Sequence, residues 1–378
     1  MRYFEEFRSN TCGGSGNQFY FGTGGKAETG RVYYQITHGG RFRYSLLFSN
    51  IMDSTYSDGS LSHCNLVCDS WELLEAKVGR CSHLDMKSML DAVQSRASQN
   101  LPEPQFQLPI SQWKPLTFDG KTSKMVQPGE FFSSDPVELE CAAGEYLCLE
   151  TTFRGEQIPC HVESILPVFR KGERGWVYSR FLPVASMVGC DRSVKKRIGY
   201  LGDSITQGIG TEVDSYTHWN AVVSQKLGED YAYWNLGIGY GRGQDGASDG
   251  AWLYRAKQND IVVVCFGVND IFQIGSAEQT KKDLTAIVDK LKTAGCKVLL
   301  QTVPPFDYGE KHRLIWEDIN DYIRKDLSGK ADRIFDVVPV LGQADKPHMA
   351  IYGGHPNAAG CSAWGEALYP VLKELAEE

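Results

Sequence analysis

Hydrophobic and polar residues alternate in short runs through the first half of the chain. One run covers residues 42–48, and two more, 137–141 and 147–153, are separated only by Ala142-Ala143-Gly144-Glu145. Alternation with a period of two is typical of strands with one buried face, and a short glycine-containing connection predicts a hairpin. The pattern predicts an antiparallel β-sandwich or jelly-roll domain over residues 1–192.

Two segments of this half are predicted to depart from the strand pattern. Met86, Met89, Leu90 and Val93 have helical spacing, which predicts one helix within the β domain. Residues 101–115 contain four prolines, so we predict an extended connection without regular structure.

The second half of the chain has a different pattern, in which apolar runs alternate with amphipathic helical segments. The run 261–266 is uniformly apolar, as expected for a parallel strand that is buried on both faces. One helical segment begins at a capping residue, Ser276, and stops at Gly295. This half therefore predicts an α/β domain over residues 193–378, with a three-layer, doubly wound parallel sheet. The strand candidates are 197–201, 231–236, 260–266, 297–303 and 333–338.

Composition and charge indicate which kinds of binding partner are not expected. The chain has 378 residues and a formal net charge of -8, and its longest basic run is Lys195-Lys196-Arg197. Nucleic acids and anionic membranes need basic patches, so neither is an expected partner. The N-terminus is charged where a signal peptide would be apolar, and the eleven cysteines are best interpreted as reduced thiols. We therefore expect a cytoplasmic protein; the sequence leaves a homo-oligomer open.

Residues with catalytic potential follow the predicted strands of the second half. Ser204 comes after the first strand, a second block (235–241, from Asn235 through a glycine-rich stretch) after the second, Asn269 after the third, and His355 before the last helix. Because the carboxyl ends of parallel strands meet at one sheet edge, we expect these groups to face one place. A hydroxyl, backbone donors, an amide and an imidazole are the groups that acyl transfer requires.

Three of these segments resemble conserved blocks of the SGNH (GDSL-type) hydrolase superfamily: residues 202–204, 267–270 and, in part, 355–357. The resemblance covers residues 196–378 and implies a flavodoxin-like sheet and a serine esterase without metal or other cofactor. It implies that Ser204 is the nucleophile and His355 its base. The backbone N–H of Ser204, a glycine N–H and the Asn269 amide would then form the oxyanion hole.

The sequence departs from the pattern of that superfamily at two positions. Tyr240 stands where the second block usually has its oxyanion glycine, so we expect Gly239 to be the donor, with Gly241 as the alternative. Tyr352 stands where the acid normally precedes the histidine. The centre is then either a Ser–His dyad or one with a displaced acid, for which Asp345 is the nearest candidate and Asp307 and Asp336 are less favoured.

The N-terminal half suggests a substrate class. A jelly roll before an SGNH domain is similar to the layout of two-domain carbohydrate esterases of family two, some of which lack the acid. This resemblance implies removal of acetyl groups from xylo- or manno-oligosaccharides. There are two alternatives. One is a broader short-chain acyl-ester hydrolase with lipase-like or thioesterase activity, and the other is a non-catalytic carbohydrate-binding protein. The candidate substrate-binding residues are Asp203, His218, Trp219, Tyr240 and Trp252.

Three other motifs indicate different functions but fit them poorly. Residues 241–246 match G-x-G-x-x-G, yet they follow the second strand and lack the acidic partner of a dinucleotide site. Residues 21–27 lack two defining positions of a phosphate loop, and we interpret them as a turn. The third motif is a set of four possible zinc ligands, but their spacing is irregular for a zinc site, and we interpret the cysteines as buried thiols. Those residues are Cys64, Cys68, Cys81 and His83.

Overall fold

A computed structural model of the chain describes residues 2–14, 16–53, 64–161, 165–342, 349–351 and 354–378. Asp345 and Tyr352 therefore lie outside the described residues. The described chain divides into two compact units. The N-terminal unit contains the residues up to Met52 and Leu66–Ser193, and the C-terminal unit contains Val194–Glu378 together with Asp53 and residues 64–65.

The N-terminal unit consists mainly of short strands, with one helix of more than one turn. Its helices are α1 (Tyr3–Glu6) and α2 (Met86–Ser98). The strands among its described residues are β1 (Arg8–Ser9), β2 (Phe19–Phe21), β3 (Glu28–Gln35), β4 (Gly40–Ser49), β5 (Ile51–Met52), β6 (Leu66–Val67), β7 (Trp71–Cys81), β8 (Ser111–Pro115), β9 (Lys124–Val126), β10 (Phe131–Ser133), β11 (Val137–Cys141), β12 (Tyr146–Arg154), β13 (Ile158–Cys160), β14 (Val168–Lys171), β15 (Trp176–Tyr178) and β16 (Met187–Cys190).

Two antiparallel sheets of this unit enclose one hydrophobic core. The larger has the order β15-β14-β3-β12-β7-β8, with β9 also on β7, and the smaller has the order β1-β16-β4-β10, with β11 also on β4. Inward residues of β3 such as Tyr34 and of β4 such as Leu46 belong to the same buried cluster. The predicted antiparallel sandwich is confirmed.

The predicted hairpin between residues 137–141 and 147–153 is wrong. Strand β11 pairs with β4, whereas β12 lies between β3 and β7, so the two strands belong to different sheets. Glu145 accepts a hydrogen bond from the N–H of Ala142 at 2.6 Å, and the Gly144 N–H donates to Ile36. The connection therefore carries the chain from one sheet to the other. Alternation determines which face of a strand is buried, but it does not determine the neighbouring strand.

The prediction for residues 101–115 is wrong for its last five residues. Ser111–Pro115 forms β8, which pairs with β7 and ends the larger sheet. A proline is tolerated in a strand at a sheet edge because the N–H that it lacks is not needed there. The helix predicted from Met86, Met89, Leu90 and Val93 is present as α2.

The C-terminal unit alternates strands and helices. Its sheet strands are β17 (Lys196–Gly202), β18 (Tyr231–Gly237), β19 (Ile261–Cys265), β20 (Lys297–Gln301) and β21 (Arg333–Phe335), and β22 (Ala350–Ile351) and β23 (His355–Pro356) form a separate pair. Its helices are α3 (Ser204–Gln207), α4 (Trp219–Leu227), α5 (Gly243–Ala247), α6 (Ala251–Ala256), α7 (Ala277–Thr293), α8 (Glu310–Lys325), α9 (Val338–Leu341) and α10 (Ala358–Glu377). A π-helical turn covers Asp270–Ile274, and a 3-10 turn covers Leu327–Gly329.

The five-stranded sheet is parallel throughout and has the order β18-β17-β19-β20-β21. The chain moves from β17 to one side and then returns to the other, so β17 lies at the point where the strand order reverses. In such sheets ligands bind outside the carboxyl ends of the strands at this point. Gly202 pairs with Gly237 on one side and with Cys265 on the other, so the three central strands end at the same level.

Helices pack on this sheet in two groups, as expected for a doubly wound fold. In one group α4 packs against α10, and in the other α7 packs against α5 and α8. Trp219 of α4 stacks on Trp364 of α10 with ring centroids 5.0 Å apart, and Trp364 donates to Gln301 at 2.7 Å. Among the described residues, no helix is long and apolar enough to cross a bilayer.

Candidate active site

Ser204 is the first residue of α3, directly beyond the end of β17. Asp203 caps this short helix, because its carboxylate accepts a hydrogen bond from the Ile205 N–H at 3.0 Å. Gly208 ends the helix in the left-handed conformation and donates to the Ser204 carbonyl. The serine is therefore held at the carboxyl edge of the sheet, where it is partly exposed while its neighbours are buried.

Buried amides fix α3 against the end of β18. Asn220 donates to the Thr206 carbonyl at 2.5 Å, and Asn235 donates to the Gln207 carbonyl at 3.3 Å. Asn235 also accepts from the Gly237 N–H at 2.9 Å. A Cβ at Gly237 would collide with the backbone of Gln207, so only glycine permits this close approach. Asn235 of the predicted second block therefore acts as a support for the turn that carries Ser204.

His355 reaches the serine from the opposite end of the unit's sequence. It lies on β23, paired with Ile351 of β22, and Asn357 just beyond it caps α10 by accepting from the Gly360 N–H. Its Nε2 is 2.8 Å from the Ser204 Oγ. The structure thus brings together the predicted nucleophile and base at hydrogen-bonding distance, although 151 residues separate them in the sequence.

Gly210 allows the serine segment and the histidine segment to approach each other. Its φ is +104°, and a Cβ at this position would lie 2.6 Å from the Pro356 carbonyl oxygen and 3.2 Å from the His355 Cβ. An L side chain is disfavoured there both by the backbone conformation and by the contact. Gly210 is a residue of the site that the sequence patterns did not indicate.

The segment after β18 lies beside Asn269. The Asn269 side-chain amide donates to the Gly241 carbonyl at 3.0 Å, while the Gly241 N–H closes a turn by donating to Ile238 at 3.2 Å. Tyr240 has φ +61°, a conformation that favours glycine. The position where the superfamily usually has glycine thus keeps a glycine-like backbone although its residue is tyrosine.

Two carboxyl groups are buried beneath this segment. Burial, with a smaller contribution from the nearby Asp270, raises the pKa of Asp203 to about 7. Burial, together with the nearby Asp283 and Asp245, also raises the pKa of Asp270 to about 7, although the N–H of Gly243 donates to its carboxylate at 3.0 Å. Asp203 is therefore a buried capping residue, not a group that faces substrate.

Most of the aromatic residues predicted to line the pocket are core residues. Trp219 is fully buried between Trp364 and Tyr200, and Trp252 is 1% exposed and donates to the Leu236 carbonyl. His218 is also fully buried. Because they are buried, these three side chains present no surface to a substrate. Large aromatic rings contribute most to the stability of a fold when they are buried. Tyr240 remains partly exposed.

A different group of aromatic residues surrounds His355. The Phe306 ring meets the His355 ring edge to face at 5.2 Å, and Phe272 packs against Phe306 at 5.6 Å. Phe306 follows β20, and Phe272 lies on the π-helical turn after Asn269. The rule that residues beyond strand ends converge would have found them, had it been applied to aromatic as well as polar residues.

Two of the three carboxylates considered as the acid can be placed. Asp336 directs its oxygens at Arg324, with distances of 2.9 and 3.1 Å, and at Thr302. Asp307 is exposed on the segment after β20. Asp345 lies outside the described residues.

The rival motifs have structural explanations. Residues 241–246 form a turn and the start of α5, and Arg242 there pairs with Asp245 at 3.1 Å. Cys81 donates to the His83 carbonyl at 3.0 Å. Within the part of the chain that the structure describes, no group of three or more His, Cys, Asp or Glu side chains is arranged to hold a metal ion.

The fold and these blocks define the class: the C-terminal unit is an SGNH-type α/β domain. Residues 200–363 match the GDSL-like Lipase/Acylhydrolase family, so this part of the chain is a domain of that family. No curated protein sequence matched the chain.

Three solved structures that are similar to this chain each align with somewhat less than half of it. A carbohydrate acetylesterase family member from Sinorhizobium meliloti has 20% identity and a TM-score of 0.40, over 48% of this chain and 100% of that one. A carbohydrate esterase family 3 protein from Talaromyces cellulolyticus has 19% identity and a TM-score of 0.39, over 48% of this chain and 98% of that one. A member of the lipolytic G-D-S-L family from Veillonella parvula has 19% identity and a TM-score of 0.40, over 46% of this chain and 97% of that one.

The raised pKa of Asp270 predicts how stability depends on pH. An unfolded aspartate titrates near 4, so between about pH 4 and 7 the folded protein binds a proton that the unfolded chain has lost. The free energy of unfolding should therefore fall as pH rises through this window, by up to about 1.4 kcal/mol per pH unit for this group. Asp270→Asn keeps an acceptor for Gly243 and should flatten the slope, measured by urea denaturation at several pH values. An unchanged slope would show that Asp270 is already ionised at pH 5.

Proposed function

We propose that this protein is a serine esterase that removes acetyl groups from carbohydrate. The observation that carries the proposal is the 2.8 Å contact between Ser204 Oγ and His355 Nε2 at the carboxyl edge of the sheet. A serine hydroxyl is a weak nucleophile unless a base lies within hydrogen-bonding reach, and such a pair serves acyl transfer. The family of residues 200–363 supports the coarser part of the proposal, an acylhydrolase.

In the proposed reaction, Ser204 Oγ attacks the acetyl carbonyl carbon while His355 Nε2 accepts the hydroxyl proton. The tetrahedral intermediate collapses, the bond to the sugar oxygen breaks, and His355 returns the proton to that oxygen. Water then attacks the acetyl-serine with His355 as the base, which releases acetate and restores the hydroxyl. No metal or other cofactor takes part in this proposal.

The negative charge of the intermediate requires donors that are already in place. We assign this role to the N–H of Ser204, the N–H of Gly239 and the Asn269 side-chain amide. Gly239 is the glycine that a one-residue deletion in this block would place at the donor position, and Gly241 is the alternative. Asn269 Nδ2 carries two hydrogens, so it can donate to the Gly241 carbonyl and to the oxyanion together. The loss of one such donor typically lowers turnover by about 10²–10³-fold.

Replacement of the nucleophile tests the assignment directly. Ser204→Ala should lower kcat for 4-nitrophenyl acetate by on the order of 10⁴-fold or more, because no other group can form the acyl-enzyme. Initial rates of the two purified proteins, with matched circular dichroism spectra, provide the measurement. The wild type should also lose activity steeply from acetyl to longer acyl esters; a preference for long chains would favour a lipase-like or thioesterase function. Retained activity in Ser204→Ala would exclude the proposed nucleophile.

We propose that Ser204 and His355 work as a dyad. Asp336 is held by Arg324, which removes one candidate for the acid. In this proposal Asp345→Asn retains most of the activity on 4-nitrophenyl acetate. A loss of about 10⁴-fold in kcat, the size seen when the acid of a triad becomes an amide, would instead identify Asp345 as the acid.

The close approach at Gly210 should matter for catalysis. Gly210→Ala would push the segment that carries His355 away from Ser204, and a displacement of about 1 Å can cost about 10²-fold in kcat. Gly228→Ala is a matched control, because Gly228 also has a positive φ (+78°) but has open space around its Cβ position. Steady-state rates of both variants test the contact. Equal losses would mean that backbone strain alone, and not the approach to His355, determines the effect.

A further inference from the structure

Four aromatic side chains form a continuous surface that starts at His355. We call the set Phe272, Phe306, Tyr308 and His312 the aromatic ledge. Phe272 is its centre, with ring centroids 5.6 Å from Phe306, 5.5 Å from Tyr308 in a stacked arrangement, and 5.0 Å from His312. Phe306 joins the ledge to the His355 ring at 5.2 Å.

The ledge exposes its central ring although its neighbours hold that ring in place. Phe272 is 42% exposed, whereas most large hydrophobic side chains of this unit are buried. It stands on the π-helical turn Asp270–Ile274, which directly follows Asn269. Turns of this kind occur frequently at functional sites. An aromatic face that is kept exposed beside a reactive pair is suited to binding a ligand ring.

The ledge is attached firmly to the segment that carries the histidine. A Cβ at Gly354 would lie 2.8 Å from the Phe306 ring and 2.9 Å from its Cα, so the backbone before His355 packs directly on Phe306. The Tyr308 hydroxyl donates to the Pro304 carbonyl at 3.3 Å. Phe306 therefore packs on both the backbone before His355 and the His355 ring, and Phe272 packs on Phe306.

The chemistry of the leaving group determines which part of a substrate meets this surface. In the proposed reaction His355 Nε2 must give a proton to the departing alcohol oxygen, so that oxygen lies within hydrogen-bonding reach of the His355 ring. The acyl carbonyl oxygen points instead toward Ser204 N–H and Asn269. Groups attached to the alcohol oxygen thus extend toward Phe306, the ring in contact with His355, and from there toward Phe272, which packs on Phe306.

We propose that the aromatic ledge binds the ring of the leaving alcohol, with one face of a pyranose stacked on Phe272. This inference rests on the proposed function and adds the part of the substrate that is recognised. A pyranose presents a face of C–H groups that suits an aromatic ring, and His312 at the rim has a polar nitrogen for its hydroxyls. Phe272 is then a specificity residue, whereas Trp219 and Trp252 are not.

The test compares two acetate esters that share the acyl group and differ in the alcohol: a monoacetylated methyl pyranoside and ethyl acetate. For each protein, the ratio of kcat/KM for the pyranoside to that for ethyl acetate is measured. Phe272→Ala should lower this ratio about tenfold, mainly through KM, because one ring stack is lost. Phe272→Tyr keeps the ring and should restore the ratio. Tyr254→Ala, which removes a 36% exposed aromatic ring outside the ledge, should leave the ratio unchanged.

Other outcomes overturn the proposal. An unchanged ratio in Phe272→Ala would show that the ledge does not bind the alcohol. A change in the preference between ethyl acetate and ethyl butyrate would show that it binds the acyl chain instead. These results leave the proposed function intact as long as the wild type hydrolyses the esters through Ser204. If the wild type hydrolyses neither acetate, the proposed function fails and the ledge proposal fails with it.

Discussion

The level at which three parallel strands end is the constraint on which the site depends. Gly202 of β17 pairs with Gly237 of β18 and with Cys265 of β19, so the chain leaves all three strands in one plane. A Cβ at Gly202 would collide with Thr206 and with the Cys265 carbonyl, and one at Gly237 with Gln207. Helix α3 can therefore lie directly on the strand ends and hold its first residue at the sheet edge.

The residues after β19 hold the neighbouring segment by two opposite contacts. Asn269 donates to the carbonyl of Gly241, and Asp270 accepts from the N–H of Gly243. The Asn269 side chain thus binds a backbone carbonyl of this segment, and the Asp270 side chain binds a backbone N–H. Burial keeps the pKa of Asp270 near 7, which is the cost of placing a carboxylate in the interior to fix a backbone N–H. The proposed oxyanion hole depends on this pair of contacts.

The sequence predicted those parts of the fold that follow from local pattern. Continuous apolar runs gave the parallel strands, and caps such as Ser276 and stops such as Gly295 gave the helix ends, because these signals depend on neighbouring residues only. The partners of β11 and β12 were not predictable in this way. Their alternation is the same whether they pair with each other or with strands far away in the chain.

The candidate site was predictable to a similar extent. The positions of Ser204, Asn269 and His355 followed from the rule that strand ends converge, and the structure brings Ser204 and His355 together. Trp219 and Trp252 are candidates by sequence, but both side chains are buried in the core, and burial by distant segments is not visible in a local pattern. The role of Gly210 depends on a contact between distant segments, which no local pattern records, whereas Phe306 follows β20 and so lies where the strand-end rule applies.

The central claim is that Ser204 becomes acylated with help from His355. Rapid acid quenching of the protein during turnover of an acetate ester, followed by mass spectrometry of its peptides, measures this step directly. The account predicts an acetyl group on the peptide that contains Ser204, absent from Ser204→Ala and strongly reduced in His355→Ala. An acetyl group on another residue, or turnover without any acetylated serine under conditions in which deacylation is slow, would contradict it.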